Sequence, residues 1–234
     1  MGGVDALRGI EETEATWNIG AAVTLYELDA FFASRLAQLA RLLKRFGSRQ
    51  IRHRATLGGN LANASPLADL PPLLLVLDAT LVLRDALGAE RRLRMSDFYR
   101  SYKRTELRAG EYVARVLVPR PAPGQRVELH KLSKRYEDDS AAVMVAVSIG
   151  IDADVRIAFG GMAATPARAR AAEAALRGHA LGPDSIEAAL QAIGEDFTPI
   201  DDVRASARYR LAMARNLLRR ALVNDAAATI FDDG

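Results

Sequence analysis

Residues 50–69, QIRHRATLGGNLANASPLAD, constrain the rest of the chain most strongly. Gly58 and Gly59 stand between Thr56 and Asn60, and Asn63, Ser65, Pro66 and Asp69 follow. The stretch is poor in residues that favour a helix or strand interior, so it reads as a loop. Adjacent glycines permit positive φ and let a ligand approach bare backbone N–H groups, while the hydroxyl and amide neighbours add donors and acceptors. Such a loop suits a phosphate or pyrophosphate, and equally a plain turn. It is neither the G-x-G-x-x-G of a dinucleotide fold nor G-x-x-x-x-G-K-[ST], because no lysine follows the glycines.

At 234 residues, half of them apolar, the chain can bury an ordinary core in one large or two small domains. A net charge of +3 comes from nearly balanced, interspersed acids and bases, which argues against nucleic acid as a partner. Only Lys44, Lys103, Lys131 and Lys134 are lysines; the other basic residues are arginines spread along the whole chain. The absence of cysteine excludes disulfides, thiolate metal sites and a cysteine-ligated cluster within this polypeptide, and His53, His130 and His179 are too scattered for a histidine metal site. The longest apolar run, residues 70–83, is interrupted by Pro71, Pro72 and Asp78 and falls short of the ~20 residues of a membrane span. The first twenty residues lack the pattern of a signal peptide, so the expectation is a cytoplasmic protein with no membrane partner.

Taken in order, TWNIG reads as a strand, and Thr24 with Glu27 forms a capping box for a helical run of leucines and phenylalanines that breaks near Ser34 and ends by Gly47. Pro71 and Pro72 sit in the first turn of a short helix, with Asp69 as its N-cap. ATLVLRDA and ERRLRM flank a hairpin, SDFYRSY reads as a short helical turn from Ser96, and EYVARVLVP is a strand ending at Pro119. Residues 119–124, PRPAPG, form the best linker. Beyond it come a strand to Lys131, a charged loop KRYEDDS, and an antiparallel pair around Asp152, Ala153 and Asp154. Three helices follow: one opened by Thr165 and Pro166 and closed by Gly178, one from Asp184 and Ser185, and one from Ser206. A three-stranded sheet under three helices makes this second half an α+β domain.

QIRHRATLGGNLANASPLADLPPLLLVLDATLVL and FGGMAATPARARAAEAALRG resemble segments of the flavoproteins of the molybdenum hydroxylase family, and within it the small subunit of bacterial xanthine dehydrogenase. The resemblance implies an α+β fold with a partial PCMH-type FAD-binding domain over residues 1–119. A domain similar to the CO dehydrogenase flavoprotein C-terminal domain would follow over residues 125–224. It implies FAD as cofactor, held by Thr56, Leu57, Gly58, Gly59 and Asn60 around the pyrophosphate and ribityl chain, with Asp69 nearby. Phe46 corresponds to an aromatic near the flavin, Val113 to an aliphatic packed on the ring and Lys131 to a cation approaching the cofactor. Read from spacing alone, Phe46 and Val113 fit a core and Lys131 a solvated strand end.

The resemblance further implies that the chain starts within an FAD module, the family's first glycine-rich pyrophosphate loop lying outside it. The expected partners are a molybdopterin-binding large subunit and a 2Fe-2S domain or subunit, with NAD as electron acceptor. No residue presents itself as nucleophile or general base, as expected where a cofactor carries the chemistry. The rival expectation is a non-catalytic remnant that binds no flavin and only docks to partner subunits.

Overall fold

The computed structural model describes residues 5–152 and 154–223; Ala153, within the expected Asp152 to Asp154 turn, and residues 1–4 and 224–234 lie outside the described residues. A 3-10 turn over Asp5–Leu7 precedes strands β1 (Ile10–Glu12) and β2 (Thr16–Gly20), followed by helices α1 (Leu25–Phe32), α2 (Ala37–Lys44), α3 (Arg49–Arg52), α4 (Leu57–Ala62) and α5 (Pro71–Val76). Strands β3 (Thr80–Arg84) and β4 (Glu90–Arg94) form a hairpin, β5 (Tyr99–Ser101) and β6 (Arg104–Thr105) a smaller one, and β7 (Tyr112–Pro119) closes the first half. The second half contains β8 (Arg126–Leu132), β9 (Val143–Ile149), β10 (Val155–Gly160), β11 (Ala167–Arg168), α6 (Arg170–Leu176), α7 (Pro183–Asp196) and α8 (Ala207–Val223).

The first sheet is antiparallel with order β1-β2-β7-β3-β4. Its register sets Trp17 against Val118, Ile19 against Val116 and Leu81 against Val116, so one face is a continuous apolar surface. Alternation with period two puts Asn18, Arg92 and Arg115 on the opposite face. The buried face of α1 and that of α2 pack on the apolar side, and the Thr24–Glu27 capping box forms as the sequence predicts.

The second sheet has order β11-β10-β9-β8, four strands rather than the expected three. The extra strand comes from Ala167 and Arg168, which pair with the edge of β10 and delay helix α6 to Arg170. Pro166 is therefore not a helix opener. The amides of Ala171 and Ala172 donate instead to the Asp196 carboxylate, supplied by the end of α7. Further differences lie in the first half: SDFYRSY divides into a 3-10 turn over Met95–Asp97 and strand β5, and residues 50–69 contain helices α3 and α4 rather than one open loop.

Every residue of α5 is buried, as expected of a short helix that is apolar all round. It lies between the two sheets, touching β9 and β10 on one side and sharing the first core on the other. Strand β9 is buried along its whole length. Its Val143, Val145 and Val147 face the core under α6, α7 and α8, whereas Met144 and Ala146 join the first core.

Candidate functional site

The Gly58-Gly59 pair sits in the first turn of α4, not in a left-handed turn, and neither glycine has positive φ. Thr56 is the N-cap, its Oγ1 accepting from the Gly59 amide at 3.1 Å. The Leu57 amide donates to the Val23 carbonyl at 3.0 Å, Gly58 to Ala21 at 2.8 Å and Asn60 to Thr56 at 3.0 Å. The first amides of this helix are thus already paired within the protein. Gly58 is glycine because a Cβ there would lie 2.7 Å from the Ala21 Cβ and 3.0 Å from its carbonyl oxygen. Gly59 is exposed, and a Cβ there would meet only Thr56 Oγ1.

Leu57 points into the core, while Asn60 is half-buried with its Oδ1 shielded from solvent and without a hydrogen-bond partner. Such an orphaned acceptor costs roughly 1–3 kcal/mol unless a donor reaches it. FAD offers donors in its ribityl hydroxyls, whereas its pyrophosphate offers only acceptors. The exposed Gly59 beside the unpaired Asn60 oxygen therefore fits the hydroxyl-bearing part of the cofactor, and the paired amides fit the pyrophosphate poorly.

Asp69 does not cap α5; Leu70 holds that position without a side-chain cap. The Asp69 carboxylate is buried and accepts from Lys131 Nζ at 2.6 Å. Burial pushes its carboxyl upward against the opposing pull of Lys131 and Arg45. Lys131 is likewise not a solvated strand end: its side chain is 1% exposed, it donates also to the Arg45 carbonyl at 3.3 Å, and it lies 5.9 Å from the Phe46 ring centroid. Asp69 Oδ1 is a second buried acceptor without a partner. Phe46 is half-buried against the first core, and Val113 of β7 is fully inside it, opposite Leu83 of β3. The structure thus brings the half-buried Phe46 beside the buried Asp69–Lys131 pair, sets Thr56 to Asn60 at the start of α4, and leaves Val113 in the sheet behind.

Arg45 belongs with this cluster and has no local signature in sequence. Its guanidinium donates to the Lys131 carbonyl at 2.8 Å, the Tyr136 carbonyl at 3.2 Å and Ser133 Oγ at 3.3 Å, and it stacks over the Tyr136 ring. One signal was legible: between Asp29 and Asp69 the sequence has no acid, while Arg35, Arg41, Lys44, Arg45, Arg49, Arg52 and Arg54 give the stretch a positive field suited to an anionic cofactor. His53 stacks on Tyr26, and His130 lies 3.9 Å from Glu128 on the same strand face, an acid neighbour two residues away. In the charged loop at Lys134 to Asp139, Asp139 accepts from the Arg135 and Ser140 amides and Lys134 donates to the Val203 carbonyl at 2.9 Å. Among the described residues no cluster of potential metal ligands occurs, and no helix is long and apolar enough to cross a membrane.

An antiparallel sheet with flanking helices, a glycine-bearing helical turn packed against β7 and a second sheet under three helices define an α+β architecture. Residues 1–121 match the FAD binding domain in molybdopterin dehydrogenase, and residues 128–224 match the CO dehydrogenase flavoprotein C-terminal domain. The chain belongs to this family of molybdenum hydroxylase flavoproteins, whose cofactor is FAD.

It is 31% identical to the nicotine 6-hydroxylase medium subunit of Paenarthrobacter nicotinovorans, over 98% of this chain and 82% of that protein. It is 36% identical to the nicotinate hydroxylase of Emericella nidulans over 80% of this chain, but spans only 15% of that protein's length, and 18% of the length of the same fungus's xanthine dehydrogenase. Among solved structures, carbon monoxide dehydrogenase from Hydrogenophaga pseudoflava superposes with a TM-score of 0.88 at 33% identity, covering 96% of this chain and 79% of that one.

Proposed function

We propose that this chain is the flavin-binding, electron-transferring subunit of a molybdenum hydroxylase, receiving reducing equivalents from a 2Fe-2S partner and passing them to NAD. In this reading a molybdopterin-binding large subunit carries substrate oxidation in a cytoplasmic complex, and residues 1–119 and 125–224 act as the flavin-binding domain and its C-terminal companion. The observation that carries the proposal is the exposed Gly59 beside the buried, unpaired Asn60 oxygen, in a helix fixed by Thr56.

Bound FAD would supply the exchange between two-electron and one-electron carriers; the protein's part is to hold and shield it. Thr56 fixes the helical turn through its side-chain cap and Leu57 and Gly58 through their amides, Gly59 leaves room and Asn60 would accept from a cofactor hydroxyl. Asp69 and Lys131 hold the following segment against β8, and Phe46 borders the same cluster. Val113 supports the site from the sheet. A narrower version makes the complex xanthine dehydrogenase-like, supported by 30% identity to a fungal xanthine dehydrogenase over 94% of this chain. Isolated, the chain is expected to be inactive on xanthine, because it has no cysteine to ligate a cluster.

A second reading, a docking protein that binds no flavin, draws on the internal pairing of the α4 amides, which lets the fold stand without a ligand. A visible absorption spectrum of the purified protein, before and after addition of FAD, separates the two. Retained flavin bands that disappear in Gly59→Asp, whose carboxylate repels an anionic cofactor from an exposed position, are the expected result. A protein that remains colourless after incubation with FAD and desalting rejects flavin binding.

A further inference from the structure

The β5–β6 hairpin carries two groups that reach the end of α4 opposite its Gly59 turn. Tyr99 Oη donates to the Leu61 carbonyl at 3.1 Å, and Lys103 Nζ lies 3.0 Å from the Asn63 carbonyl and 3.1 Å from Asn63 Oδ1. Asn63 is the C-cap of α4, where carbonyls lack helical partners and a cation is favoured by the helix dipole. Lys103 has φ +57, a left-handed conformation that costs a β-carbon-bearing residue roughly 1–2 kcal/mol and that glycine or asparagine would adopt more readily. The hairpin's tip therefore keeps a lysine in a strained conformation, and the ammonium it presents spans both oxygens of the helix cap.

We propose that Lys103 and Tyr99 are positioning residues for the flavin turn: they fix the C-terminal end of α4 and so set the orientation of Asn60 one turn before it. The mechanical argument is the helix's length. Six residues make fewer than two turns, too short to be stable by itself, so the helix holds its direction only through what grips its ends. Thr56 and the carbonyls of Ala21 and Val23 grip the start; Tyr99 and Lys103 grip the finish. Asn60 lies between the two grips, and a small tilt of the helix would move its amide away from a cofactor hydroxyl. Burial pushes the Tyr99 phenol upward, so it remains a donor throughout the working pH range. This inference rests on the flavin-binding reading above.

The test uses the full chain and compares wild type with Lys103→Ala, Lys103→Arg and Lys103→Gly. Equilibrium FAD titration followed by fluorescence gives Kd, hydrogen exchange reports the amides of α4, and thermal unfolding reports stability. Lys103→Ala is expected to raise Kd about five- to thirtyfold, because a loosened α4 must be re-ordered when the cofactor binds, and to speed exchange in α4. Lys103→Arg should restore much of the affinity. Lys103→Gly is the decisive variant, because it relieves the positive φ while deleting the ammonium. Stability should hold or rise as affinity falls, whereas a purely structural role would move both together. If wild type binds FAD and Lys103→Ala binds it equally well, or α4 exchange is unchanged, the positioning role is overturned with the flavin reading intact. If wild type itself takes up no FAD, the flavin reading fails and the positioning role falls with it.

Discussion

The arginine bias, which reads as mere composition in the sequence, has a structural use: a guanidinium presents five donors in a fixed plane and can close several carbonyls at once, which an ammonium cannot do in the same geometry. Arg52 Nη1 donates to the carbonyls of Lys44, Phe46 and Gly47 where α2 gives way to α3, and the buried Arg210 bridges the carbonyls of Ala142 and Gly161. Arg91 does the same for the segment before β7. It pairs in bidentate fashion with Glu111 at 2.7 and 2.8 Å and donates to the Glu106 carbonyl. The Arg91 guanidinium, with the Arg108 amide, holds the Glu111 carboxyl down to about 2, against the opposing effect of burial. A carboxyl depressed in the folded state stabilises above its unfolded value, near 4.5, and that contribution is lost as the pH falls from there toward 2. Glu111→Gln is therefore expected to cost about 1–2 kcal/mol at pH 7 and almost nothing at pH 2, measured as urea midpoints across that range. An equal loss at both pH values would show that shape, not charge, is what Glu111 supplies.

Among the elements, local chemistry was readable where partners are local and silent where they are not. Thr24 and Glu27 announce α1 because both halves of the capping box lie within four residues. The start of α6 misleads, since its cap is Asp196, distant in sequence, and the edge of β10 claims Ala167 and Arg168 first. The same holds for α4. A Gly-Gly pair after Thr56 signals a turn by propensity, yet Thr56 caps a helix and Gly58 is required by the carbonyl and methyl of Ala21, a contact made only when β2 and α4 come together. Gly58→Ala should consequently destabilise the protein by about 1–3 kcal/mol through overpacking, because the atoms in its way belong partly to backbone. Gly59→Ala gains helix propensity and loses a little to the 3.0 Å approach of Thr56 Oγ1, and is expected to stay within about 1 kcal/mol of wild type. Thermal unfolding followed by circular dichroism checks the pair; equal effects would remove the packing account of the two glycines. Phe46, Asp69 and Lys131 could be placed together only by resemblance, as the segment after α2, the segment before α5 and strand β8 that carry them meet through tertiary packing.

At the scale of the whole molecule, the proline-rich segment separates the two halves in sequence more completely than in space. Helix α5 and strand β9 are each buried from both sides, and Met144, Ala146 and Ala158 of the second sheet belong to the same apolar cluster as Trp17 and Leu73. Ion pairs reinforce the contact: Asp69 meets Lys131, and Asp78 meets Arg156 and Arg168. Separating the halves would expose a face of each sheet core, at roughly 25 cal/mol per Å² of apolar surface, so each half would lose stability on its own. The chain offers two spatially separate probes of this coupling. Trp17, the sole tryptophan, is buried in the first sheet, whereas α6, α7 and α8 contribute much of the helical dichroism from the other end. Urea unfolding followed by tryptophan fluorescence and by far-ultraviolet dichroism should give coincident midpoints, as a cooperative two-state transition requires. Two resolved midpoints would mean that the shared core around α5 does not couple the halves. Bound FAD should raise both midpoints together if they coincide, because a ligand that grips one part of a cooperative unit stabilises the whole of it.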